Sequence, residues 1–225
     1  MNRKVRNVFL LGTFSAVVVY VGWQNGRSSA EAGVNPLTET AVATGAAVLG
    51  QAGGFEYIGS SKCKKCHLPE YKDWEKLRHG TAIETLKSGN KGEEKTKHKL
   101  DPAKDYTKDA TCVACHTVGL GKPGGYQIPA DEEAAKKVKH LEGIGCEMCH
   151  GPGSKYNDIH EEIMKSKRKY KVDELYAAGM LKSDKAVCLT CHNEKSPSVD
   201  TSIPFDFEKM KEKGVHVHTP LKQRE

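Results

Sequence analysis

Aromatic side chains are scarce in this chain: two Trp, five Phe and eight Tyr in 225 residues, 7% in all. Hydrophobic residues of every kind reach only 37% against 28% charged, and much of the apolar share falls within residues 1–55. The remainder is too polar to fill an ordinary core for its length, so something besides side chains is expected to occupy the interior. Other features are missing as well. No run of Lys and Arg is interleaved with aromatics. The net charge of +6 is spread through mixed stretches such as KGEEKTKHK and EEAAKKVKH, which read as solvated surface and exclude a nucleic-acid face. No convincing alternating strand occurs, and no cysteine stands outside four short motifs.

Those motifs are CKKCH (63–67), CVACH (112–116), CEMCH (146–150) and CLTCH (188–192). They recur at steps of 49, 34 and 42 residues, too uneven for a solenoid of fixed period. Zinc ribbons need paired cysteines but no histidine after every pair. One CxxC can be a redox dithiol, but four are not thioredoxin-like. A disulfide framework would not leave each cysteine three residues from a partner and set a histidine behind every pair. Cys-x-x-Cys-His is the attachment signature of c-type haem. Two thiols form thioethers with the vinyl groups, and the adjacent imidazole falls under the iron as proximal ligand. Four covalently bound haem c groups follow, held by Cys63, Cys66, Cys112, Cys115, Cys146, Cys149, Cys188 and Cys191. The proximal ligands are His67, His116, His150 and His192. Burying several hundred Å² of each haem contributes on the order of 10 kcal/mol at about 25 cal/mol/Å². The haem-free chain is therefore expected to be largely unfolded.

The N-terminus carries address information. MNRKVRN is positive, and Val8–Trp23 is an apolar run of 16 residues. That length lies between a secretory h-region and a membrane span. Residues 1–32 read as a signal peptide or a membrane anchor, with the chain beyond them exported. Residues 33–55 are rich in Gly, Ala, Thr and Val and read as a flexible linker. The working domain is expected over 56–225. It should be mainly α, with short helices and long loops around the haems. Helices are expected over 68–87 (LPEYKDWEKLRHGTAIETLK), over 154–167 with Ser154 as N-cap, in DEEAAKKVKH and in FDFEKMKEK. GLGKPGGYQIP (119–129) reads as a loop.

Ten histidines are present, four of them in the motifs. The other six, His79, His98, His140, His160, His216 and His218, are candidates for opposing axial ligands. Met164, Met180 and Met210 suit core filling better.

At KLDPAKDYTKDATCVACHTVGLGKPGGY (99–126), GIGCEMCHGPG (143–153) and CHLPEYKDWEKLRHGTAIETL (66–86) the chain resembles the tetrahaem cytochrome c-554 family, the electron carriers paired with hydroxylamine oxidoreductase. The resemblance, with motif order and spacing, covers most of 56–218. It implies that His67 is opposed by His160, His150 by His79, and His192 by His216 or His218. It implies a five-coordinate iron on His116 and no ligand role for His98 or His140. It further implies a hydroxylamine-oxidoreductase-like multihaem donor and a quinone-linked or small soluble cytochrome as acceptor.

Three functional classes follow. An electron carrier needs no acid–base dyad or nucleophile; the protein only sets each potential. A nitric oxide reductase would use the open iron on His116. A membrane-anchored quinol dehydrogenase also pairs one N-terminal span with four motifs, though there the first motif sits close to the membrane, whereas here Trp23 and Cys63 are 40 residues apart.

Overall fold

Each cysteine motif sits in or beside one short helical turn, because positions i, i+3 and i+4 share a face only in a helix. In the computed structural model, which describes residues 54–197 and 202–225, ten short α-helices alternate with turns. α1 (Ser60–Cys63) and α2 (Leu68–Trp74) flank the first motif, with a 3-10 helix (Ala82–Leu86) and α3 (Gly92–Lys97) beyond. α4 (Ala110–His116) holds the second motif, followed by α5 (Glu132–Val138) and a 3-10 turn (Lys139–Leu141). α6 (Cys146–His150) is the third motif itself, and α7 (Ser154–Ser166) and α8 (Val172–Ala177) follow. α9 (Lys185–Leu189) opens the fourth motif and α10 (Phe207–Gly214) precedes the final segment. Only two isolated bridges, Thr117 with Glu142 and Tyr170 with Arg224, represent β structure among the described residues.

The longest helix among the described residues, α7, has 13 residues. Helices this short are marginal alone, so caps and tertiary contacts must hold them. Aspartates supply the caps. Asp109 accepts from Thr111 N (3.0 Å), Asp131 from Ala134 N (2.8 Å), Asp184 from Ala186 N (2.9 Å) and Asp206 from Lys209 N (3.1 Å). Each such cap contributes about 0.5–2 kcal/mol. Two of them, Asp109 and Asp184, start the helices that carry the second and fourth motifs.

The side-chain core is thin. Thirteen hydrophobic residues are buried among the described ones. One cluster joins Ile83, Leu86, Tyr106, Val113, Val118, Tyr126 and Leu141 around the second motif. A smaller one joins Tyr156, Ile163, Tyr170 and Leu175 between α7 and α8.

Two helix expectations are corrected. The helix expected over 68–87 stops at Trp74, where the indole Nε1 donates to Ile144 O (2.9 Å). The chain then turns back through His79 and Gly80, and the main-chain oxygen of His79 accepts from Ile144 N (2.8 Å). Tertiary hydrogen bonds override the helical period here. Ser154 is the first residue of α7 rather than its cap, and its hydroxyl accepts from Glu56 N (2.9 Å). The Asp-capped α5 and α10 form as expected.

The expected segment 1–32, the apolar run 8–23 and all but the end of the linker 33–55 lie outside the described residues. Among the described residues no helix is long and apolar enough to cross a membrane. Phe55, at the linker's end, already approaches Gly179, and a Cβ there would stand 2.9 Å from its ring.

Candidate haem-binding site

The four motifs converge through their sulfurs. The thiols of Cys63 and Cys146 are within hydrogen-bonding reach of each other, as are those of Cys115 and Cys191. Cys149 feels the charges of both Cys188 and Cys191. The first motif thus abuts the third, the third the fourth, and the fourth the second. This spatial order differs from the order along the chain.

Three motif histidines each face a histidine from elsewhere. The ring centres of His67 and His160 are 5.6 Å apart, those of His79 and His192 6.2 Å, and those of His150 and His216 6.2 Å. A metal–imidazole bond of about 2 Å on either side, plus about 1 Å from nitrogen to ring centre, separates opposed rings by roughly 6 Å. The three pairs therefore leave room for one metal ion between each two rings and fit axial ligation of haem iron. His116 has no histidine ring opposite it among the described residues.

The resemblance led us to expect His79 opposite His150 and a C-terminal histidine opposite His192. The structure exchanges these two. His79, swung round by the Trp74 turn, meets His192, while the C-terminal segment brings His216 to His150. His218 stacks on His216 at 4.6 Å and pairs with no motif histidine among the described residues. His98 and His140 likewise pair with none.

The second nitrogen of several rings is held by the backbone. Nδ1 of His116 donates to Ala82 O (2.7 Å), and Nδ1 of His216 to Val217 O (2.6 Å). His150 Nδ1 lies 3.3 Å from Ser183 Oγ. Such bonds fix the tautomer and turn Nε2 towards a metal. Burial disfavours the charged form. It pushes the pKa of His150 and of His160 down to about 4, and neighbouring histidines add to the effect. His67, His79, His116 and His192 are lowered mainly by burial as well. The imidazoles are neutral near pH 7, as ligands must be.

A cavity of about 710 Å³ adjoins the first and third motifs and touches Cys63, His67, Cys146, His150, His160 and His216. That is the size of a cofactor pocket. The C-terminal segment forms one wall. Asp73 accepts from Val217 N (2.8 Å), and Glu70 accepts from both the amide and the hydroxyl of Thr219. Two carboxylates of α2 therefore hold the segment that bears His216. The sequence reading missed this latch. The signal available was their i, i+3 spacing directly behind the first motif.

The profile of the cytochrome c554 and c-prime family matches residues 62–151. A curated relative, cytochrome c-554 of Nitrosomonas europaea, is 37% identical over 186 residues, covering 73% of this chain and 77% of the relative. The solved structure of reduced cytochrome c554 from the same organism superposes with a TM-score of 0.65 at 34% identity, covering 76% of this chain and 90% of that one. With all eight cysteines in attachment motifs and histidines opposed at metal-bridging distance, these likenesses lead to one conclusion: the chain belongs to the cytochrome c554 family, multihaem c-type electron-transfer cytochromes with covalently bound haem c.

Proposed function

We propose that this protein is an exported, periplasmic tetrahaem carrier. It takes electrons from a hydroxylamine-oxidoreductase-like multihaem enzyme and passes them to a quinone-linked or small soluble cytochrome. Residues 8–23 serve export and are either removed or kept as a membrane anchor. His67 and His160, His150 and His216, and His192 and His79 act as axial pairs, and His116 holds an iron with one open position. The observation that carries this reading is the set of three histidine pairs at 5.6–6.2 Å with His116 left unmatched.

Bound haem supplies a one-electron Fe(III)/Fe(II) couple whose potential follows ligand identity and burial. The chain does the rest. It keeps ligand imidazoles neutral by burial, fixes their tautomers through backbone carbonyls, and brings the attachment sulfurs together in the order first, third, fourth, second. Electrons would follow that order in one direction or the other, with entry and exit at the two ends.

The test is electron paramagnetic resonance of the oxidised holoprotein with and without nitric oxide. Three low-spin ferric signals and one high-spin signal that responds to the ligand are expected. Four low-spin signals, unchanged by nitric oxide, would refute the open site. A second reading, nitric oxide reduction at the His116 iron, is favoured by the lack of an opposing histidine there. It requires steady consumption of nitric oxide by the reduced protein; stoichiometric binding without turnover would exclude it.

A further inference from the structure

Glu147 stands between the two cysteines of the third motif and is 1% exposed. Its oxygens accept four hydrogen bonds from three backbone amides. Oε1 takes Ile58 N at 2.9 Å and Gly153 N at 2.7 Å; Oε2 takes Gly59 N at 2.7 Å and Ile58 N at 3.2 Å. No Lys or Arg pairs with it among the described residues. A buried carboxylate without a counter-cation is costly unless donors surround it. Here the donors are built in. A Cβ on Gly153 would approach Oε1 to 2.9 Å, so glycine lets that amide come close. Two effects oppose each other at this carboxyl. Burial pushes its pKa up and is the larger effect, so the carboxyl lies above its ordinary range, while the three N–H groups pull it back. Every polar group aimed at it is a donor, and none could accept a proton from a neutral acid. The arrangement therefore suits the anion.

The charge is not isolated from the redox sites. Its field reaches the thiols of Cys63 and Cys146, neighbouring attachment atoms of the first and third haems, and also Tyr57 and Tyr156. Glu147 lies in α6 of the third motif, and its partners Ile58 and Gly59 lead directly into α1 of the first.

We propose that Glu147 is a potential-setting residue, a buried negative charge held by backbone amides and shared by the first and third haems, that holds both at lower reduction potential than they would otherwise have. A fixed anion stabilises Fe(III) over Fe(II) at the nearer irons, and little solvent intervenes to screen it. The second and fourth haems, whose motifs supply none of its hydrogen-bond partners, are shifted less. This makes the four-centre chain electrically uneven, with one half biased against the other. Glu147 touches no iron and moves no proton; it acts through the field alone.

The test is spectroelectrochemical titration of the holoprotein on wild type, Glu147→Gln and Glu147→Asp, with the second centre assigned by its high-spin signature and the first, third and fourth by the centre that turns high-spin in His160→Ala, His216→Ala and His79→Ala. Glu147→Gln is expected to shift the reduction equilibrium of two centres about tenfold towards Fe(II), which is about 59 mV for one electron. The other two centres should move less than twofold, and the shift should persist at high salt. Glu147→Asp keeps the charge and should leave all four potentials within about twofold while lowering the melting temperature. An equal shift at all four centres, or no shift, would overturn the proposal. So would an Asp variant that moves the pair upward about tenfold, whether or not the Gln variant folds. The inference rests on the four-haem reading. An intact mass short of four haems counts against that reading, whereas unmoved potentials in a four-haem protein count against this one.

Discussion

Replacing Gly143 by alanine should damage the protein at a defined place. Gly143 has φ +78°, and a Cβ there would stand 2.6 Å from the carbonyl oxygen of Gly80 and 3.1 Å from that of His79. Left-handed backbone costs a non-glycine residue roughly 1–2 kcal/mol. Overpacking against backbone, which cannot rotate away, adds about 1–3 kcal/mol. A total of about 3 kcal/mol lowers the melting temperature by roughly 10 °C in a domain of this size. The same clash pushes on His79, whose carbonyl is tied to Ile144 N at 2.8 Å, so its ring should withdraw from His192. Gly89 is the control. Its φ is +72° and nothing lies within 4 Å of its Cβ position. Gly89→Ala carries only the backbone strain, about 1 kcal/mol and roughly 2–4 °C. Thermal melting followed in the Soret band gives the stability, and the ferric spin state gives the ligation. Gly143→Ala should show one extra high-spin centre and Gly89→Ala none. If both variants melt alike with unchanged spin states, the Gly143–Gly80 approach does not position His79.

Two further outcomes follow from the histidine geometry. His216→Ala should add one high-spin centre at the third motif, reversible by added imidazole, whereas His218→Ala should leave the spin states unchanged; the opposite result would move the distal ligand to His218. Acidification should act late. Burial lowers the folded pKa of His160 from the ordinary 6.5 to about 4, so the unfolded chain binds the proton first. Stability then falls as pH drops from 6.5 towards 4, and ligation by neutral His160 should survive to about pH 4. An optical pH titration showing loss of low-spin character near pH 6.5 would contradict this.

The attachment chemistry was legible because a covalent bond imposes its spacing on the sequence. Two thiols and an imidazole must share one helical face, and Cys146–His150 forms that single turn. Helices α5 and α10 were legible for a similar reason, since local composition favours them, and the structure adds aspartate caps that satisfy donors a few residues away. What escaped depends on distant partners. The segment after Trp74 has a helical period, but the Trp74 to Ile144 hydrogen bond takes precedence and reroutes His79. The exchange of opposing histidines followed from that turn, and no local pattern marks it. Glu147 was invisible because the two residues between the cysteines of a motif are free to vary. Only the partners at Ile58, Gly59 and Gly153 give it meaning.

The nearness of these sulfurs has a consequence for biosynthesis. Cys63 lies against Cys146, and Cys115 against Cys191, in each case joining motifs that are not neighbours along the chain. If the chain folds while both thiols of such a pair are still free, an oxidant can couple them to one another. A cross-link of that kind would consume one attachment atom at each of two motifs and lock a large loop shut. Maturation therefore has to keep the thiols reduced until every vinyl group has found its partner.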